Sequence, residues 1–384
     1  MILQNNNKYL FNQMGIKDLY SVIKSNCPNQ LPVVHFSKLG GYRIAIDISV
    51  FLYKFIRSAG PDRWIDPFLM LMCLIKQNNA RAICIFDGPN FPEEKKKEQQ
   101  ARRVSSERIK EKLKEVIRLL HKIQEEYVPT DKTVEEDLKN DIRLLLNLNP
   151  MEDSTNYYNP VNVSDILQAS VDKYTRQTIP ITSEYANKAK QIMDILGVTH
   201  LQADGEAETL CSELAIHKYV DCVLTEDTDV LAYGTPIMLS KLDLSRGTVV
   251  FIQHESLVNA LMLDELSFRD MCIMLGCDYN ERSKVYPKKK GGKPVGVGAK
   301  KAYDMILEYK NIDKMKDVLV DVSVLKHERC RELFTPSKKC DTVSVPYPKA
   351  LKEMELLEFL RDNPSVVKFE FIKEKWRKTD IIFE

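Results

Sequence analysis

Two short runs of apolar and β-branched residues, 43–48 and 81–86, each stop at or beside an aspartate, Asp47 and Asp87. Between them lies an amphipathic stretch from Val50 to Gln77 that reads as two helices. Strand, helical crossover, strand is the pattern of a βαβ unit, and it dictates parallel strands because a tight hairpin cannot return the chain in the same direction. Further short runs predict strands at 199–202, 221–225, 236–239 and 248–252, with helices near 184–196, 206–218, 255–262 and 265–275. The fold class that follows is α/β, with a doubly wound, mostly parallel central sheet and flanking helices. A chain of 384 residues is long enough to bury a large core of this kind.

The ends of these runs are acidic. Asp47, Asp87, Glu206, Glu208, Asp227, Asp229 and Asp278 stand in the segments YRIAIDIS, AICIFDG, ADGEAE, LTEDTDVLAYG and MLGCDY. One acid closing a strand means little, because Asp favours turns. Several on one α/β sheet converge on its carboxyl edge, where ligands bind. Such a cluster repels itself and raises its own pKa values unless cations sit among it. Mg²⁺ prefers carboxylate and water oxygens, and two ions roughly 4 Å apart serve phosphodiester hydrolysis, with Mn²⁺ a possible substitute. The six histidines are scattered and suit packing or surface roles instead.

Spacing refines the expectation. Asp227 and Asp229 point the same way if the backbone there is extended. Glu206 and Glu208 diverge by roughly 200° on a regular helix, so they share a site only at a loop-to-helix junction or with one acting through water. Asp204-Gly205 supplies a helix start at that point.

Net charge is only +1, from 56 basic and 55 acidic residues, so any nucleic-acid face must come from distribution rather than total. One basic region is EEKKKEQQARRVSSERIKEKLKEVIRLLHKI, where Ile109, Leu113, Val116, Leu120 and Ile123 recur at helical spacing. Within it Lys95 and Arg102 lie seven apart on one helix face just after IFDG, able to meet a phosphate, with Lys96 and Arg103 as their rivals. A second basic segment, ERSKVYPKKKGGKPV at 281–295, precedes GVGAKKA. There Gly296 and Gly298 offer a helix N-terminus to a phosphate, and Lys300 and Lys301 add contacts that position without reading sequence. Nine cysteines show no CxxC pairing and fall in apolar runs, as buried thiols in a reducing compartment do. No segment approaches the roughly 20 apolar residues of a membrane-spanning helix, and no internal repeat is visible. An intracellular monomer with no membrane partner is expected.

Read in order, MGIKDLY, IAIDISVFLYKF, IFDG, GVTHLQADGEAE, LTEDTDVLAYG, FRDMCIMLGCDY and GVGAKKAYDMI resemble the flap endonuclease branch of the xeroderma pigmentosum group G family of structure-specific 5′ nucleases. The resemblance runs from about Met14 to about Tyr309. It implies a PIN-like nuclease core, a helical arch or cap that single-stranded DNA threads, and a helix-two-turn-helix element that grips duplex DNA with a monovalent cation. It further implies that the seven acids hold two Mg²⁺ ions, that Lys95 and Arg102 offset charge in the transition state, and that Tyr53 stacks on a substrate base. The glycine after Met14 is expected close to the active site.

On this reading residues 1–13 are an extension, 14–92 and 184–280 form the nuclease core, and 93–183 form the arch with extra material at about 128–168. That extra material reads as one helix near 134–147 followed by a polar loop. Residues 281–320 carry the basic loop and the helix-two-turn-helix, and 321–384 a helical C-terminal region. The function implied is Mg²⁺-dependent cleavage of 5′ flaps at single-strand/double-strand junctions of DNA, in replication and repair. A 5′–3′ exonuclease or junction-cutting relative is an alternative, and a non-catalytic DNA-binding protein is an alternative of another class. The expected location is the nucleus or another site of DNA replication, a cytoplasmic factory if the source is viral. No clear sliding-clamp motif stands near the C-terminus, which leaves clamp coupling open.

Overall fold

A computed structural model describes residues 15–126, 160–280, 297–319, 321–336 and 349–377. Its sheet has seven strands: β1 (Val33–His35), β2 (Arg43–Asp47), β3 (Arg81–Phe86), β4 (Thr199–Gln202), β5 (Cys222–Leu224), β6 (Ile237–Asp243) and β7 (Thr248–Gln253). They lie in the order β1-β7-β6-β5-β2-β3-β4. The four pairings β2–β3, β3–β4, β2–β5 and β5–β6 are parallel, while β6–β7 and β7–β1 are antiparallel. Six strands match the apolar runs of the sequence to within a few residues. β1 was not expected, since its three residues are too few to display a two-residue period.

Strand order explains where a ligand goes. From β2 the chain steps outward through β3 to β4, then returns to place β5 on the other side of β2. The connections leaving the two central strands therefore diverge, and their carboxyl ends open the crevice at the switch point of a doubly wound sheet. Ile44, Ala45 and Ile46 of β2 pair in register with Cys222, Val223 and Leu224 of β5, and all six are fully buried. Asp47 is thus carried to the crevice by a strand that cannot shift without exposing its neighbours.

The described residues form two compact units. One comprises Met1–Phe55, Arg63–Lys96 and Thr182–Glu384, and its core runs from Ile16, Leu19 and Ile23 through Val223, Met238 and Phe268 to Phe334. Helices Ala207–Ile216 and Glu265–Leu275 belong to it and begin within two residues of their expected positions. Eight described cysteines are buried and free, as expected, and burial pushes the Cys84 thiol up to about 12.

The second unit comprises Ile56–Asp62 and Lys97–Ile181. In it Val116, Leu119, Leu120 and Ile123, from the long helix Glu93–Glu126, pack on Leu167, with Val171 and Tyr174 alongside. The polar loop read up to residue 168 ends earlier than expected, because helix Pro160–Thr178 already starts at a proline, a residue suited to a first helical turn. Residues 1–13, the helix read at 134–147, the basic loop 281–295 and Gly296 lie outside the described residues. Among the described residues no helix is long and apolar enough to cross a membrane.

Candidate metal centre

The seven acids come together in the first unit. Asp47, at the end of β2, is 1% exposed and accepts from Thr225 Oγ1 at 3.0 Å. The same hydroxyl oxygen accepts the Asp227 N–H at 3.1 Å, so one threonine beyond β5 sets the approach of two carboxylates. Asp227 Oδ1 in turn accepts the Asp229 N–H at 2.9 Å. The backbone between them is not extended as the spacing argument required. Thr228 is in the right-handed helical region and Asp229 starts the short helix Asp229–Ala232, so a turn rather than a strand pleat aims the pair inward.

Asp87 follows β3 and accepts the Ala207 N–H at 2.9 Å. That donor belongs to the first turn of helix Ala207–Ile216, whose N-cap is Glu206 in an extended conformation (φ −78°, ψ 136°). The two glutamates sit at a loop-to-helix junction, the arrangement their spacing demanded. The loops after β3 and β4 are fastened together, with Gly88 N–H donating to Gly205 O at 2.6 Å and Asn90 Nδ2 to Asp204 Oδ1 at 2.7 Å.

Lys95 occupies the middle of this group. Its Nζ lies 2.6 Å from Asp278 Oδ2 and 3.4 Å from Glu208 Oε1, and it pairs with Glu206 Oε1 at 2.6 Å. The side chain is 8% exposed. Burial works against its charge, but Glu208, Asp278, Glu206 and Asp227 outweigh that and hold the ammonium pKa well above the ordinary lysine value. Lys96 instead faces outward to Glu93.

The acids themselves are under electrostatic load. Burial, followed by the charges of Asp87, Glu208 and Asp227, drives the Asp47 pKa well above its usual range. Burial and Glu208 raise Asp87 and lift Glu206 to about 8. Asp227 rises to about 7 through burial, Glu208 and Asp278, and Asp229 moves far upward through burial and Asp227. One lysine does not balance seven carboxylates. Among the described residues neither oxygen of Asp229, which is fully buried, has a hydrogen-bond partner. A buried carboxylate left this way is costly unless a cation or a proton meets it. The donor set is all oxygen and so fits Mg²⁺ or Mn²⁺ rather than zinc.

Gly15 is required here for two reasons. Its φ is +73°, and a Cβ built on it would stand 2.1 Å from Asp227 Oδ1 and 2.7 Å from Asp229 N. The backbone after Met14 therefore passes directly against the acidic pair, where no other residue fits.

The remaining predicted residues lie elsewhere. Tyr53 is 46% exposed on helix Ile48–Ala59, which excludes a core role. Arg102 belongs to the second unit, where it is half exposed and bonded to Glu98. Gly298 is the N-cap of helix Ala299–Tyr309, nothing lies within 4 Å of the Cβ it lacks, and Lys300 and Lys301 are exposed in the first turn. A separate group, Asp313, His327 and Glu328, has ligand atoms within 4.8 Å of one another. Asp313 is already taken by His327 at 2.8 Å and by Arg331 at 2.9 Å, and Arg331 also forks onto Asp270, so this is an ion-pair network that pins helices together.

Sequence reasoning missed several supporting residues. Thr225 was one, and Tyr279 another, its hydroxyl donating to Glu206 Oε2 at 2.7 Å. No spacing rule marks the bonds to Asp47 and Glu206, because those partners are far away in the chain.

The chain matches two family models, the XPG N-terminal domain over residues 14–109 and the XPG I-region over residues 197–278. It is 28% identical over 347 residues to the probable RAD2-like endonuclease 076L of Invertebrate iridescent virus 3, covering 85% of this chain and 86% of that protein. It is 25% identical over 385 residues to flap endonuclease 1 of Debaryomyces hansenii, covering 96% and 81%. In fold it is similar to the catalytic core of Rad2 in complex with DNA substrate, with a TM-score of 0.61 at 16% identity over 95% of this chain and 100% of that one.

Proposed function

The chain belongs to the XPG family of structure-specific nucleases, enzymes that hydrolyse phosphodiesters, and on that footing we propose that it is a Mg²⁺-dependent 5′ flap endonuclease cutting DNA at single-strand/double-strand junctions. The observation that carries the reading is the gathering of Asp47, Asp87, Glu206, Glu208, Asp227, Asp229 and Asp278 around one lysine at the sheet's switch point. Those carboxylates would hold paired Mg²⁺, which when bound lowers the pKa of an attacking water and neutralises charge growing on the phosphate.

The protein's own groups do the rest. Asp47, Asp87, Asp227 and Glu206 are held by hydrogen bonds and need little rearrangement, which is how a preorganised site lowers a barrier. Lys95, once its carboxylate partners are engaged elsewhere, offers its ammonium to the phosphoryl oxygens. The exposed ring of Tyr53 stacks on a base, an interaction worth about 1–3 kcal/mol and indifferent to sequence. Gly298, Lys300 and Lys301 meet duplex phosphates and set register without reading bases.

The test is cleavage of end-labelled DNA carrying a 5′ flap, a nick or a four-way junction, in Mg²⁺ and in Mn²⁺, with Asp227→Asn as control. The expected result is incision near the flap junction, dependent on metal and reduced at least about 10³-fold in the control, since loss of several kcal/mol of charge stabilisation has that size. Preference for the four-way junction would move the chain to the junction-cutting relatives. Tight flap binding with no cutting in either metal would leave only a DNA-binding role.

A further inference from the structure

Glu206 differs from the other acids in how it is held. Asp47 and Asp87 are short side chains clamped by Thr225 and by the Ala207 N–H, whereas Glu206 has a longer, more rotatable side chain projecting from an N-cap. Its Oε2 accepts from Tyr279 Oη at 2.7 Å. Tyr279 Oη lies 2.6 Å from Tyr233 Oη, which lies 2.8 Å from Thr209 Oγ1. Both rings are buried and both pack against Phe334, with centroids 5.1 Å and 5.2 Å away.

We infer that the Thr209–Tyr233–Tyr279 hydroxyl chain is a positioning device that fixes the Glu206 carboxylate so that Oε1 faces the metal centre. The chain has one consistent direction. Tyr279 donates its one hydroxyl proton to Glu206 Oε2, so it accepts from Tyr233, and Tyr233 from Thr209. Hydrogen bonds aligned head to tail strengthen one another in a low-dielectric interior. The same chain ties together three segments that carry acids, because Thr209 follows Glu208, Tyr233 lies four residues after Asp229, and Tyr279 follows Asp278. Outer partners of this kind orient metal-binding carboxylates and tune affinity.

The inference rests on the metal-centre reading above, and its test separates the two. Mn²⁺ binding to the full chain, without DNA, is followed by the electron paramagnetic resonance of free Mn²⁺ for wild type, Tyr279→Phe, Tyr233→Phe and Thr209→Val. Tyr279→Phe keeps the ring on Phe334 and deletes only the hydroxyl. It is expected to bind Mn²⁺ about 10–100-fold more weakly, and the Mg²⁺ concentration for half-maximal cleavage should rise by a similar factor. The loss should shrink along the chain, with Tyr233→Phe weaker in effect and Thr209→Val weakest. Near-ultraviolet circular dichroism of the chelated proteins confirms that packing is kept, and a misfolded Tyr279→Phe leaves Tyr233→Phe to decide. Affinities within twofold of wild type for both tyrosine variants overturn the inference. Wild-type protein that takes up no Mn²⁺ overturns the metal-centre reading itself, and the inference with it.

Discussion

At the scale of single residues, the centre is a set of acids kept at the edge of ionisation. In the metal-free protein Asp227 titrates near 7 and Glu206 near 8, against ordinary values of 3.8 and 4.5. The unfolded chain releases both protons at the ordinary values, so between those limits the folded state binds more protons, and stability falls as pH rises. Chelator-treated protein should therefore melt lower at about pH 8.5 than at about pH 5.5, and Mg²⁺ should raise the melting temperature more at the higher pH. In Asp227→Asn the pH dependence should flatten, which differential scanning calorimetry checks. The acids were legible in the sequence: six of them stand at or just past a strand end or at a helix start, where chain geometry leaves few choices, whereas Asp278 follows helix Glu265–Leu275. Thr225, Tyr233 and Tyr279 were not, since a hydrogen bond between residues 46 to 178 apart leaves no periodic trace.

At the scale of elements, the first turn of helix Glu93–Glu126 delivers the central cation. That turn is anchored separately, through Glu94 to Arg329 at 3.2 Å. Lys95→Met removes the charge while keeping most of the side-chain volume, and leaves Glu206, Glu208 and Asp278 facing one another. Removing one partner of a buried ion pair costs about 3–5 kcal/mol, and a loss toward the lower figure is expected here because the carboxylates can protonate. Urea unfolding in chelator should show it, and saturating Mg²⁺ should recover most of the loss. Long amphipathic helices and buried strands were legible from period alone. The turn between Asp227 and Asp229 was not, because two acids two apart fit a pleat or a helix start equally well, and the choice fell to Thr225 and Gly15. Helix Pro160–Thr178 was hidden by its Asn-rich beginning, and its buried Leu167 is set by the partner helix.

At the scale of the whole molecule, each unit has a hydrophobic cluster of its own. Among the described residues, no side chain from 97–181 enters the core cluster that surrounds the acids. Replacing that segment with a Gly/Ser linker should leave Mn²⁺ affinity within about threefold of wild type, while abolishing discrimination between flapped and nicked DNA. Mn²⁺ titration alongside gel-based cleavage would check both halves of that expectation. The nuclease core was legible because strand, crossover and strand constrain each other across the chain, whereas the second unit shows only a seam of apolar residues on a charged helix. A net charge of +1 conceals both the acidic crevice and the basic segments.

β3 and β4 are neighbours in the sheet, yet the whole second unit except Ile56–Asp62 is strung between them. Closing a loop twice as long costs only about 0.6 kcal/mol more. The tether between these two strands can therefore be lengthened, shortened or exchanged with little thermodynamic resistance, so a lineage is free to revise that segment while inheriting the sheet and its acids unaltered.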